Sequence, residues 1–177
     1  MASNLPTHRL AQFFSGFAEQ TFQAQLGVVD PPMVDYLSDL LLRFVRNEDV
    51  VPRGVTGKRL EGLSEMVGEA TQRMGEAQRK IHCQIGDFAL FWAGLFPESL
   101  RNQSTSQEDP FTDYVSQGKR AYIVASQIET EQAAAPPADL LRRLGDRFEL
   151  CAYGLREVRR EWEKQDDSGD PGPLLFN

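Results

Sequence analysis

Residues 81–96, IHCQIGDFALFWAGLF, gather one of two histidines, one of two cysteines and an aspartate at the edge of a dense apolar run. These types do recognisable chemistry. An imidazole oriented by a carboxylate is a general base, and a thiolate beside an imidazole is a nucleophile. Either arrangement needs the groups to face one another. On a regular helix His82 and Cys83 diverge by about 100°, and His82 and Asp87 by about 140°. The three are therefore no ready-made triad, and His82 meets Asp87 only if the helix breaks at Gly86. Arg79 and Lys80 stand one turn before Cys83, Asp87 one turn after, so Cys83 reads as a thiol at the rim of a charged cluster.

His82 shares a helical face with Gly68, Gly75, Gly86, Ala89 and Ala93. A stripe of small residues admits either a close helix backbone or a ligand, and an imidazole there would most simply hydrogen-bond a neighbouring helix. His82, Gly86, Asp87 and Trp92 are accordingly the candidate ligand pocket, with core packing as the alternative use of the aromatics. Lys119 and Arg120, flanked by Tyr114 and Tyr122, form a compact basic pair and a candidate anion site.

Other constellations fail on spacing. Neither His8 nor His82 has a glutamate three residues before it, so the helical di-iron pattern is missing, and the scattered His and Cys residues make no zinc cluster. No metal and no cofactor is expected. Gly57-Lys58 and Gly118-Lys119 lack the earlier glycine and the following Ser or Thr of a phosphate loop. No Gly-x-Ser-x-Gly occurs, and Cys151 lies within an apolar stripe as a core residue. No catalytic residue is assigned.

The elements that must position these residues read as helices. Apolar spacing predicts a first helix over 7–26, ended by Gly27, and a second opened by Asp30-Pro31. Leu60, Val67, Met74, Ile81, Phe88 and Leu95 repeat every seven residues. That seam predicts one long helix, or two nearly collinear ones, over about 58–95, some 55 Å in length. Glu69–Arg73 and Glu76–Lys80 pair along its solvated face, and beyond Asp87 it is apolar all round. Pro97 ends it, Pro110 opens a helix to about 128, and a stripe from Leu141 to Trp162 marks a last helix over about 138–164. The expected fold is all-α: a single-domain bundle of five or six helices over 1–164, the long helix packed on the C-terminal one. Residues 165–177 form a flexible acidic tail with an apolar tip, LLF.

A net charge of −7 with scattered Lys and Arg opposes nucleic-acid binding. The N-terminus lacks a secretory signal, the longest apolar run falls far short of the roughly 20 residues that span a membrane, and two cysteines suit free thiols. A cytoplasmic protein with no membrane partner is expected.

TFQAQLGVVDPPMVDYLSDLLLRFV, IGDFALFWAGLFPESL, QGKRAYIVAS and FELCAYGLREVRREWE together resemble an uncharacterised family of bacterial all-helical cytoplasmic proteins. The resemblance covers most of residues 10–163 and implies no activity, cofactor or site residue. The leading expectation is a non-catalytic helical-bundle interaction or scaffold protein, its partner another protein or a second copy. The alternative is a small-ligand-binding or enzymatic bundle with its pocket near His82, Asp87 and Trp92.

Overall fold

A computed structural model describes residues 5–46, 54, 60, 62–103, 109–131, 133 and 135–167. Every regular element among them is helical. In order they are α1 (Leu5–Glu19), running into a π-helical stretch (Gln20–Gln25), α2 (Pro31–Arg46), α3 (Leu63–Ala70), α4 (Gly75–Leu95), α5 (Pro97–Asn102), α6 (Pro110–Gln127), α7 (Ala138–Asp146) and α8 (Phe148–Asp167). No helix among the described residues is long and apolar enough to cross a membrane. Most of the expected connector 47–57, the phosphate-loop lookalike at 54–59, the start of the long helix at Lys58, the centre of the 102–109 loop, the tail beyond 167 and the side chain of His8 lie outside the described residues.

The chain divides into two compact units. One holds α1, the π-helical stretch, α2 and α8 from Tyr153 onward; the other holds α3 to α7 and α8 as far as Ala152. In the first, α1 packs on α2. Asp30 accepts a hydrogen bond from the Met33 amide at 3.3 Å, and Pro31 occupies the first helical position, so the start of α2 follows the sequence reading. Gly27 adopts φ +64°, and the Val28 amide returns to the Phe22 carbonyl at 2.7 Å, closing the π-helical stretch. Trp162 lies 4.7 Å from Phe13 and 5.5 Å from Phe14, centroid to centroid.

In the second unit the heptad seam is not one helix. It breaks at Thr71–Met74, and α3 packs against α4 instead of continuing it. The cause is local. The Thr71 hydroxyl donates to the Gly68 carbonyl at 2.7 Å, and the amides of Thr71, Gln72 and Arg73 close three-residue turns that exhaust the helix. Gly75 then adopts φ +60°, which glycine alone tolerates freely. Met74, a seam residue by spacing, is extended and 87% exposed. Arg73 still reaches Glu69 at 3.1 Å, but both side chains are largely covered, so this pair is no solvated surface feature.

The last predicted helix also divides, at Arg147, into α7 and α8. The hydrogen-bond ladder bridges the join, from Arg147 to Arg143 and from Cys151 to Arg147, both at 2.9 Å. That is why Leu141, Leu144, Phe148, Cys151, Leu155 and Val158 all remain buried across it. Within the second unit the principal neighbour of α4 is α6, which packs in turn on α7. With the short α5 that Pro97 opens, these divisions give eight α-helices among the described residues where five or six were expected.

Candidate functional site

Three helices of the second unit line a half-open pocket of about 290 Å³. Helix α4 supplies Gln78, His82 and Ile85, spaced by four and three residues along one face. Helix α6 supplies Gln117, Arg120, Ala121 and Val124 at the same helical interval. Helix α3 closes it with Val67, Ala70 and Thr71 at its C-terminal end. Folding α3 onto α4 at the Thr71–Met74 break creates this pocket, so the feature that defeats the single long helix also builds the site.

His82 is half-buried here. Its Nδ1 is sealed from solvent and has no hydrogen-bond partner, contrary to the expectation of a bond to a neighbouring helix. Burial, and second the positive charge of Arg120, lower its pKa below the usual 6.5. The folded protein thus takes up this proton less readily than the unfolded chain. The resulting stability is complete above 6.5 and is lost as pH falls through the lowered folded value. Denaturant unfolding at ~pH 7.5 and ~pH 5 should show a smaller acid loss in His82→Gln than in the wild type. Equal losses in the two proteins would remove His82 as the cause.

The remaining candidates sit elsewhere. Helix α4 runs unbroken through Gly86. Asp87 is buried and accepts a 2.6 Å hydrogen bond from the Tyr122 hydroxyl. Gly86 is covered by the same tyrosine ring: a Cβ there would meet Tyr122 Cε1 at 2.5 Å. The small residue therefore serves close packing of α4 on α6, and Asp87 is not the partner of His82. Trp92 belongs to an aromatic cluster near the end of α4, with centroids 5.9 Å from Phe91 and 5.6 Å from Phe96. It does not line the pocket.

Lys119 and Arg120 separate. Lys119 Nζ donates to both carboxylate oxygens of Glu149, at 2.8 and 3.1 Å, and that bond holds the Glu149 carboxyl below its ordinary pKa. Arg120 turns to the pocket instead. The structure thus joins one residue from each expected site, His82 and Arg120, into one. Cys83 and Cys151 are both buried and form no disulfide. Among the described residues no group of three or more His, Cys, Asp or Glu is placed to hold a metal ion.

Gln78 and Gln117 were missed by sequence reasoning, as was the Tyr122–Asp87 bond. The glutamine signal was present, one turn from His82 and from Arg120, but weak: lone amides at helical spacing usually face solvent. Compared with known proteins, the chain matches no family model, no curated protein and no solved structure.

Proposed function

We propose that the second unit binds a small molecule, without catalysis, in the pocket between α3, α4 and α6. The observation that carries this is the convergence of His82 and Arg120 on a pocket whose other walls include Val67, Ile85 and Val124. A few polar groups converging in an apolar concavity is the usual make-up of a ligand site, and about 290 Å³ suits a small one. Binding is favoured over turnover because the described residues of the lining include no carboxylate and no thiol, and the Thr71 hydroxyl proton is committed to Gly68. A scaffold role has less to motivate it. Among the described residues the exposed large apolar side chains Val29, Met74 and Tyr153 stand singly on three different segments, and scattered exposure of this kind requires no partner.

A thermal-shift screen of small polar, charged and apolar fragments tests the proposal. Ligands of the native pocket should raise the melting temperature by mass action. The gain should vanish in His82→Ala and in Val124→Trp, which fills the pocket from α6. A screen without hits, or hits whose gain survives both substitutions, would refute it.

A further inference from the structure

We infer that the ligand of this pocket is a short-chain carboxylate, its carboxyl group held between Arg120 and the Nε2 edge of His82 and its hydrocarbon body laid on Val67, Ile85 and Val124. The inference rests on the binding function proposed above. Among the described residues of the lining Arg120 is the only charged side chain, and no carboxylate stands there to neutralise it. A guanidinium presents a planar fork of donors that matches a carboxylate in two parallel bonds.

The imidazole supplies a second donor. Protonating the sealed Nδ1 would leave an unpaired N–H where no acceptor reaches it. A neutral ring therefore keeps its single proton on Nε2, at the edge that is not sealed. Burial and the neighbouring guanidinium both favour that neutral ring. A neutral donor beside a cation suits an anion and gives a cationic ligand nothing to pair with. Gln78 and Gln117 add amide donors to the same lining. The apolar side chains of the lining then distinguish an organic acid from inorganic phosphate, which has no body to bury there.

Calorimetric titration with four probes tests this: hexanoate, hexanamide, hexylamine and inorganic phosphate. Hexanoate should bind up to about fivefold more tightly than hexanamide and phosphate, with hexylamine weakest, since a partly exposed charge pair contributes up to about 1 kcal/mol. Arg120 is solvent-exposed, so Arg120→Gln should fold normally. It should weaken hexanoate more than hexanamide, bringing the two to similar affinity. Hexanamide or phosphate binding as tightly as hexanoate would overturn the carboxylate assignment. So would Arg120→Gln leaving hexanoate binding intact. Both results leave the pocket reading standing if fragment gains still depend on His82 and Val124. Failure of every probe and every fragment would instead remove the pocket reading itself, and this inference with it.

Discussion

Gly154→Ala should destabilise the protein by about 1 kcal/mol or more, although alanine is the better helix former by about 1 kcal/mol. Gly154 lies on α8 in the same unit as the π-helical stretch, and the Phe22 ring points end-on at its α-carbon. A methyl group there would lie 2.8 Å from Phe22 Cε2 and nearer still to Cζ and Cε1. Ordinary carbon contacts lie at about 3.5–4.0 Å. The ring or the helix would have to move by about 1 Å or more, and Phe22 is fully buried with no free side to retreat to. Such overpacking costs about 1–3 kcal/mol, sometimes more, which exceeds the propensity gain. Gly16→Ala is the internal control. Gly16 sits within α1 of the same unit, exposed, and an added methyl would touch nothing within 4 Å. It should stabilise by up to about 1 kcal/mol. Chemical denaturation of the two variants should therefore show midpoint shifts of opposite sign. Equal shifts would mean that the Phe22 contact does not decide the outcome at position 154.

Much of this fold was legible because its signals are local. Asp30-Pro31 and Asp109-Pro110 each start a helix, and Asp109 accepts from the Phe111 amide at 3.2 Å and from the Thr112 hydroxyl at 2.6 Å. Gly27 stops one, and the stripe from Leu141 to Val158 is core along its length. The long helix was misread because seven-residue spacing records which residues are apolar, not whether the backbone between them is continuous. Leu63, Ala70, Ile81 and Leu95 are all buried, yet Leu63 and Ala70 reach that core from a helix folded back on α4. Met74 shows the limit of the pattern: it keeps the spacing and lies in solvent. The breaking signal, Thr71 four residues before Gly75, is individually weak and was outweighed by a regular seam.

The site was half legible for a related reason. His82 and Arg120 each attracted attention by type, but their convergence depends on how α4 and α6 face each other, which no local spacing records. The same holds for Asp87, whose partner Tyr122 lies 35 residues away. Within a helix, geometry could say that His82 and Asp87 point apart. It could not say what each points toward.

Gly86→Ala tests the contact that sets those two helices face to face. Tyr122 is fully buried, its ring lying on Gly86 and its hydroxyl donating to Asp87. An alanine methyl would meet three ring atoms between 2.5 and 2.7 Å away. The overlap costs about 1–3 kcal/mol, and displacing the ring also loosens a buried hydrogen bond worth about 1–3 kcal/mol, against a propensity gain of about 1 kcal/mol. The expected net loss is about 3 kcal/mol. Two backgrounds separate the contributions. In Tyr122→Phe the ring remains and the hydroxyl is gone, so Gly86→Ala should still destabilise, but by less. In Tyr122→Ala, itself costly, the three ring atoms nearest the methyl are gone, and Gly86→Ala should turn stabilising by up to about 1 kcal/mol. If the substitution costs the same in all three backgrounds, the tyrosine ring is not the reason for glycine at position 86. Because α4 and α6 are also two walls of the pocket, the variant that pushes them apart should weaken the binding proposed for it without touching a lining residue. Tyr122→Ala with Gly86→Ala, which refills the same space with a methyl, should recover part of that loss.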